Sequence, residues 1–260
     1  MKIATWNVNS LKVRLPQVLQ WLTDHPDIDV LGVQETKLRD EAFPRAEIEA
    51  AGLHCACNGQ KTYNGVALLA RRPIEDVRCD IPGFADEQKR VIAATVGGVR
   101  VMSVYVVNGQ EVGTDKFAYK LRWLEALTGY LQTELAAHPE LAVFGDYNIA
   151  PDDRDVHDPE AWGDGILCSP QERQAFRALL ALGLEDTFRR FDQPAGSYSW
   201  WDYRQGAFRR NLGLRIDHIL ASKALTQTCT ACAIDKTPRG WPRPSDHAPV
   251  VASFGSAANG

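Results

Sequence analysis

The sequence lacks the features that would assign it to a membrane or secretory class. None of its apolar runs reaches the roughly 18 residues that a transmembrane helix needs. The first segment, MKIATWNVNSLK, has one early Lys and meets polar residues by Asn7, so we expect no signal peptide, no membrane partner and a cytoplasmic location. A surplus of positive charge is also missing, because the formal net charge is −4. Any nucleic acid must therefore be met by a local basic patch.

Two common catalytic motifs are absent as well. No glycine-rich phosphate loop precedes a predicted helix, and no serine stands in a nucleophile elbow. These absences disfavour nucleoside triphosphate use and covalent acyl transfer. Among the six cysteines, Cys229-x-x-Cys232 has the spacing of half a zinc site, but no second Cys or His pair stands at matching spacing. We therefore interpret them as reduced, buried or half-exposed thiols rather than as a zinc or redox site.

What the sequence does contain is enough apolar surface for a large core. Its 260 residues are 45% hydrophobic and include seven Trp. Short β-like runs predict strands over residues 2–8, 28–34, 65–70, 91–96, 99–107, 141–148, 215–222, 229–234 and 249–254. Helical spacing predicts helices over residues 15–24, 115–137 and 169–182, the last with a capping box at Ser169-Pro170-Gln171-Glu172.

The order of these elements predicts an α/β fold with two sheets packed face to face and helices outside. Residues 65–107 contain several strands, a hairpin at Gly97-Gly98 and no helix, whereas a doubly wound parallel sheet needs a helix between nearly every pair of strands. No linker rich in Gly, Ser or Pro divides the chain. We expect a single domain over residues 1–254 and a disordered tail over 255–260.

Polar side chains occur where five apolar strands end. They are Asn7 and Asn9, Gln34 and Glu35, Asp146 and Asn148, Asp217, and Asp246 with His247. Each cluster alone is typical of a cap or a turn, but strand ends meet on one rim of a sheet. The set is rich in oxygen and has one imidazole, which suits Mg²⁺ or Mn²⁺ better than zinc. Phosphodiester hydrolysis needs such a set to activate water and stabilise developing charge.

A local basic segment lies at residues 200–216, WWDYRQGAFRRNLGLRI. It carries Arg204, Arg209, Arg210 and Arg215 against one acid, Asp202, among four aromatic residues. Arginines beside aromatic rings are typical of phosphate contacts and base stacking, although a solvated loop over one or two core aromatics has the same composition.

Seven motifs together resemble the exonuclease III family of bacterial repair nucleases. They are TWNVNSLKVR, QETKL, QKTYNGVALLA, GDYNIAP, SWWDYR, GLRIDHILAS and PSDHAPV, and they run in family order from Thr5 to Val250. The resemblance implies the four-layered α/β sandwich of the endonuclease/exonuclease/phosphatase superfamily. It also implies a Mg²⁺-dependent enzyme, with Mn²⁺ as a substitute.

The resemblance implies roles for two groups of residues at the reaction centre. Metal roles would belong to Glu35 as principal ligand, Asn7 beside it and Asp246 at a second or alternative position. Catalytic roles would belong to Tyr105 beside the scissile phosphate, Asn108 nearby, Asp146 at the attacking water, Asn148 at the phosphate oxygens, and Asp217 orienting a phosphate-binding His247.

The same resemblance implies the substrate. Members of this family cut duplex DNA 5′ to abasic sites and remove 3′ nucleotides or blocking groups. Trp200 and Leu214 would line a small pocket for an abasic sugar, which excludes a base. Lys61 and Tyr63 would follow the DNA backbone, together with Arg204 and Arg209. A monomer is expected.

Some alternatives stay open from the sequence. The acidic segment 150–168, with Leu167, departs from the family pattern and could shift the balance between abasic-site cleavage and 3′ exonuclease activity. A catalytically silent RNA-binding relative would be expected to have lost the site carboxylates, and a phosphatase or phospholipase relative would not need the Trp200–Leu214 pocket. A secreted DNase I-like enzyme fits poorly without an export signal. His218, inside a predicted strand, is interpreted as a buried, hydrogen-bonded histidine.

Overall fold

The computed structural model describes residues 1–255. The predicted tail over 255–260 therefore lies outside the described residues, apart from Gly255. The helices are α1 (Leu11–Asp24), α2 (Arg45–Ala50), α3 (Asp115–Ala137), α4 (Pro159–Trp162), α5 (Pro170–Ala181), α6 (Ala207–Arg210) and α7 (Lys223–Thr226). The strands are β1 (Lys2–Asn7), β2 (Val30–Gln34), β3 (His54–Asn58), β4 (Val66–Ala70), β5 (Ile74–Cys79), β6 (Val91–Val96), β7 (Val99–Tyr105), β8 (Leu141–Asp146), β9 (Leu184–Asp186), β10 (Trp200–Trp201), β11 (Gly213–Leu214), β12 (Asp217–Ser222), β13 (Cys229–Ile234) and β14 (Val250–Phe254).

Two six-stranded mixed sheets form the centre of the fold. The first has the order β13-β14-β1-β2-β4-β3 and the second the order β5-β6-β7-β8-β12-β9, while β10 and β11 pair as a separate ribbon. Between the sheets lies a buried apolar core that includes Ile3, Leu68, Ile92, Phe144 and Ile219. The outer face of each sheet is apolar as well, and other elements must pack on it to exclude water.

Helices cover these outer faces. Trp21 and Val18 of α1 pack on the first sheet together with Trp6 of β1. Trp123 and Leu127 of α3, with Phe176 of α5, pack on the second sheet. The predicted four-layered arrangement is confirmed. Across residues 1–255, no helix combines the length and the apolar character needed to cross a membrane.

Several boundaries agree with local signals in the sequence. Gly97 and Gly98, with φ of 57° and 87°, make the turn between β6 and β7. Ser169 and Glu172 form the predicted capping box at the start of α5. Helix α1, however, begins at Leu11 and not at residue 15, so Pro16 lies inside the helix. Burial of Leu11 against the first sheet outweighs the one helical hydrogen bond that the proline removes.

The strands that the sequence did not predict are mostly edge strands. β3, β5 and β9 each end one of the six-stranded sheets. An edge strand needs little apolar pattern because it has one neighbour, and β5 (IEDVRC) is largely exposed. Within the described residues all six cysteines are free thiols, as predicted, but Cys79 on the edge strand β5 is exposed and not buried or half-exposed.

Candidate active site

Three predicted site residues form one row across the second sheet. Tyr105 ends β7 and pairs with Asp146 at the end of the parallel strand β8. Asp146 in turn pairs with Asp217, the first residue of the antiparallel strand β12. The sequence predicted longer strands here, which extend beyond these residues to cover 99–107, 141–148 and 215–222. The regular sheet therefore stops at these three predicted site residues.

The first sheet presents its polar residues to the same row. Asn7 ends β1 beside Gln34 of the parallel strand β2, and Glu35 follows immediately. His247 precedes β14, which is antiparallel to β1. Because Asn7 Nδ2 donates hydrogen bonds of 2.9 Å to both Glu35 Oε1 and Asp146 Oδ2, its amide joins the two sheets.

The buried pair of Asp217 and His247 lies behind this bridge. His247 Nδ1 is 2.8 Å from Asp217 Oδ2, and its Nε2 is 3.7 Å from Asp146 Oδ2. Burial opposes the charged imidazolium, but the carboxylates of Asp217 and Asp146 outweigh this effect and raise the pKa of His247 to about 10. His247 is therefore a fixed cation at neutral pH, and the predicted contact with Asp217 is present.

Asp146 is a buried carboxylate close to another acid, and its charged form is therefore disfavoured. Burial raises its pKa to about 7, with Asp217 adding to the rise, while His247 and the hydrogen bond from Asn7 oppose it. A pKa near neutrality suits a group that takes a proton from water.

Burial and the nearby Glu35 and Asp146 hold the pKa of Tyr105 well above its usual value, so its phenol keeps its proton.

Two predicted amides form a second cluster beside Asp146. Asn148 accepts a 3.2 Å hydrogen bond at Oδ1 from Asn108 Nδ2 and donates one of 2.9 Å from Nδ2 to Val106 O. Its backbone N–H donates to Asp146 Oδ1 at 2.9 Å. Asn148 is buried whereas Asn108 is exposed. The pair can thus offer fixed amide groups next to the carboxylate.

Unusual backbone conformations coincide with this site. Glu35, Asn148 and Asn9 have φ of 54°, 49° and 43°, in the left-handed region that residues with side chains seldom adopt. Gly145 precedes Asp146, and a Cβ there would lie 1.8 Å from Val104 O. Backbone strain of this kind concentrates at functional sites, which agrees with the predicted position of the site.

Asp246 lies next to the cluster but in a separate set of contacts. Its carboxylate accepts from Trp200 Nε1 at 3.0 Å and from Asn9 Nδ2 at 3.1 Å. Lys37 Nζ donates to Asn9 Oδ1 at 2.6 Å and lies 3.2 Å from Glu35 Oε2. Lys37 and Asn9 therefore connect Asp246 to Glu35 across the opening of the site.

The donor set fits a hard divalent cation. Carboxylate oxygens of Asp146 and Asp217 lie within 4.8 Å of each other and of a ring nitrogen of His247, all buried. Because His247 is protonated, the available ligands are the carboxylate oxygens. Asp217 Oδ1 is buried without a hydrogen-bond partner. Asn7 holds the Glu35 carboxylate beside this group. Uncompensated carboxylate oxygen is what Mg²⁺ or Mn²⁺ prefers, and no thiol is present to favour zinc.

The predicted sugar pocket is largely filled in this structure. Leu214 pairs with Trp200 in the β10–β11 ribbon, but its side chain is 0% exposed. Val156 and Leu167, from the acidic segment 150–168, belong to the same buried apolar cluster, and Val156 pairs with Leu214 in an isolated β-bridge. Trp200 is half-buried and borders a cavity of about 320 Å³ that Leu214 does not reach.

One residue of the predicted basic patch is misassigned. Arg215 is 1% exposed and pairs with Asp155 at 2.7 Å and Asp186 at 2.8 Å, so it is an internal cation. It instead ties the acidic segment to the second sheet. Arg204, Arg209 and Arg210 are exposed, although Asp202 accepts a hydrogen bond from the Arg204 guanidinium.

The prediction of a buried, hydrogen-bonded His218 is confirmed, and the other side chains named here differ in exposure. Trp201 is fully buried, whereas Lys61 and Tyr63 are exposed on the loop between β3 and β4. His218 is fully buried, with Nε2 2.8 Å from Ile149 O and Nδ1 3.0 Å from Arg215 Nη1. Burial, reinforced by Arg215, lowers its pKa to about 4, so it is the neutral core histidine that was predicted.

Sequence reasoning missed several residues that contact the site. Lys37 lies inside the QETKL motif and Ser199 is the first residue of SWWDYR, so the motifs themselves contained a signal. Ser199 Oγ donates to Asp217 Oδ2 at 2.7 Å. Arg90 lies over the Tyr105 ring at 4.7 Å, and Lys120 reaches Asn148 from helix α3. Neither of these two stands in a motif, and only the fold brings them to the site.

Comparison with known proteins agrees with this geometry. The profile of the Endonuclease/Exonuclease/phosphatase family matches residues 4–247. Exodeoxyribonuclease III of Haemophilus influenzae is 37% identical over 98% of this chain and 100% of its own. The structure of the 3′ phosphatase NExo (D146N) from Neisseria bound to a product DNA hairpin is 50% identical, with a TM-score of 0.96 over 98% of this chain and 99% of that one. An AP endonuclease from Archaeoglobus fulgidus is 37% identical, with a TM-score of 0.93 over 98% and 99%.

Proposed function

The chain belongs to the endonuclease/exonuclease/phosphatase family as a DNA repair nuclease of the exodeoxyribonuclease III type, and from that premise we propose a specific reaction. It hydrolyses phosphate ester bonds of duplex DNA at 3′ ends and at abasic sites, with Mg²⁺ as cofactor and water as nucleophile. The observation that carries the proposal is the buried cluster of Asp146, Asp217 and His247, joined to Glu35 through Asn7.

In the proposed reaction the protein supplies a base, a cation and fixed amides. The oxygen of a water molecule forms the new bond to phosphorus, and its proton passes to the Asp146 carboxylate. The bond between phosphorus and the departing sugar oxygen breaks, and that oxygen takes up a proton from solvent. The His247 imidazolium, oriented by Asp217, and the amide of Asn148 hold the phosphoryl oxygens as their charge grows.

Glu35 and Asn7 would hold the Mg²⁺, and Asp246 would serve a second or alternative position. A bound Mg²⁺ supplies positive charge that polarises a phosphoryl oxygen and lowers the barrier to attack by water. Asn7 donates to two carboxylates in this structure. The Asn7 side chain therefore already lies beside Glu35, where its amide oxygen would serve as the second ligand of a bound Mg²⁺.

The DNA would run across the rim around this cluster. Arg204, Arg209, Lys61 and the exposed ring of Tyr63 supply charge and a stacking surface for the phosphodiester backbone. Trp200 borders the cavity next to Asp246 and would face the terminal or abasic sugar.

The filled pocket supports a preference for 3′ ends over abasic sites. An abasic sugar would have to reach Leu214, which is 0% exposed and buried in one apolar cluster with Leu167 and Val156. A 3′ terminus brings its phosphate to the cluster without extruding a nucleotide from the helix. We therefore propose that removal of 3′ phosphates and 3′ nucleotides is the faster activity.

Three duplexes test the proposal: one with a 3′ phosphate, one with a recessed 3′ end and one with an internal abasic site. We expect product with Mg²⁺ and none with EDTA, with the 3′-phosphate duplex fastest. Asp146→Asn should lose at least about a thousandfold in kcat. Asp24→Asn, an exposed change at the end of α1, should match the wild type.

Other outcomes would change the conclusion. Cleavage that persists in EDTA, or full activity in Asp146→Asn, contradicts the mechanism. Tight binding of RNA without any cleavage would favour the silent regulator, and hydrolysis of small phosphate esters but not of DNA would favour the phosphatase class.

A further inference from the structure

A buried ion pair of Lys120 and Glu172 joins the two outer helices of the second sheet to the site. Lys120 projects from α3 and Glu172 from the first turn of α5, and both side chains are 0% exposed. Such a pair is costly to bury, and apolar residues of similar volume often replace it without loss of stability. Its position therefore calls for an explanation beyond stability.

The ammonium group of Lys120 is used completely. It donates to Asn148 O at 2.6 Å, to Asn108 O at 3.1 Å and to the Glu172 carboxylate. Two of its three acceptors are thus backbone carbonyls of the residues whose side-chain amides bond to each other beside Asp146. Because an ammonium has three protons, no further donor remains.

Glu172 extends the same connection to a third segment. Its carboxylate accepts from the backbone N–H of Leu167 at 3.1 Å and from that of Ser169 at 3.1 Å. Leu167 has φ of 71° and belongs to the same buried apolar cluster as Leu214. The pair therefore reaches both asparagines and the residue that fills the sugar pocket.

We propose that Lys120, paired with Glu172, is a positioning residue that fixes the amides of Asn148 and Asn108 for phosphate binding. The inference rests on the proposed function, because it takes the two amides as groups that contact the phosphate. Asn148 stands in the left-handed region with φ of 49°, so its peptide would relax readily if the carbonyl lost its donor. An error of about 1 Å in a phosphate ligand can cost about a hundredfold in rate.

The first test is a kinetic cycle. Lys120→Met keeps the length of the side chain and removes its charge, and Lys120→Met/Glu172→Gln also avoids an unpaired buried carboxylate. We expect kcat on the 3′-phosphate duplex to fall about 10- to 100-fold with KM changed less than threefold. In an Asn108→Ala/Asn148→Ala background, Lys120→Met should have no further effect on kcat, because a residue that acts through the two amides has nothing left to position.

A matched control separates positioning from general stability. Arg100 and Glu134 form another ion pair between β7 and α3, 2.6 Å apart, with Arg100 buried and Glu134 half-buried. The pair lies at the other end of β7 from Tyr105. Arg100→Met/Glu134→Gln should lower the urea midpoint at least as much as the Lys120 variants, with kcat within twofold of the wild type. An equal loss of kcat in this control would overturn the inference.

A measurement without catalysis keeps this inference distinct from the proposed function. The side-chain amide resonances of Asn108 and Asn148, assigned by their Ala variants, should shift in Lys120→Met and stay unchanged in the Arg100 control. If the resonances shift in Lys120→Met but the wild-type protein cleaves none of the duplexes, only the proposed function is contradicted. The positioning role is rejected if Lys120→Met leaves the amide resonances or kcat unchanged. It is also rejected if Lys120→Met lowers kcat equally in the Asn108→Ala/Asn148→Ala background, or if neither Lys120 variant folds.

Discussion

The charge of His247 gives a sharp test of the site. Asp217→Asn removes the carboxylate that lies 2.8 Å from His247 Nδ1 but keeps an oxygen in its place. An opposite charge at this distance shifts a pKa by about 1 to 3 units, which corresponds to about 1.4 to 4 kcal/mol. The pKa of His247, about 10 in the wild type, should fall by that amount. With a fall of about two units, the charged fraction at pH 9 drops from about nine-tenths to about one-tenth.

Two measurements follow this shift. Titration of the His247 ring protons by NMR in the metal-free protein gives the pKa directly, with His247→Gln for assignment. The alkaline limb of kcat/KM for release of a 3′ phosphate should move toward lower pH by the same number of units, because kcat/KM reports groups of the free enzyme. Activity at pH 6.5 should suffer much less than activity at pH 9.

The control is Asp246→Asn, because Asp246 makes the smallest contribution among the carboxylates that raise the pKa of His247. It should move the ring pKa less than Asp217→Asn does. The reasoning is refuted if the ring pKa falls in Asp217→Asn and the alkaline limb stays where it is, since the imidazolium would then have no part in phosphate binding. A ring pKa that does not fall would refute the electrostatic account itself.

Three further predictions concern the pocket, the rim and the core. Leu167→Gly should raise the ratio of abasic-site cleavage to 3′-phosphate release on the order of tenfold, a change of about 1.4 kcal/mol in relative barrier, whereas Leu167→Met should leave the ratio of the two kcat/KM values unchanged. Arg209→Ala should reduce the slope of the log DNA-binding constant against log salt concentration by about 1. The internal Arg215 should contribute nothing to that slope, because it does not contact the DNA. The pKa of His218 is about 4 in the fold, so the unfolded chain binds more protons below pH 6.5 and this histidine alone removes up to about 3 kcal/mol of stability between pH 6.5 and 4. In urea unfolding His218→Gln should lose less stability over that range, and an equal loss would contradict the assignment.

The outcome of the sequence predictions followed the strength of the local signal. Glycines in a hairpin turn and a capping box act within a few residues, and both were found as predicted at Gly97-Gly98 and Ser169. Edge strands such as β5 pair on one side only and need little apolar pattern, so the sequence did not reveal them. Arg215 was misassigned for a related reason, because a run of arginines does not say which of them will meet Asp155 and Asp186 inside the fold.

The sequence by itself determined the kinds of groups in the site and their order along the chain. Carboxylates, amides and one imidazole at the ends of apolar strands were enough to predict an oxygen-rich rim, because strands of one sheet end on a common edge. Only the tertiary structure decided which atoms meet. The row Tyr105–Asp146–Asp217 comes from strand register, and the Asn7 bridge between Glu35 and Asp146 comes from packing two sheets face to face. The pKa values of Asp146 and His247 depend on burial and on charges far away in sequence, and so no local pattern could have contained them.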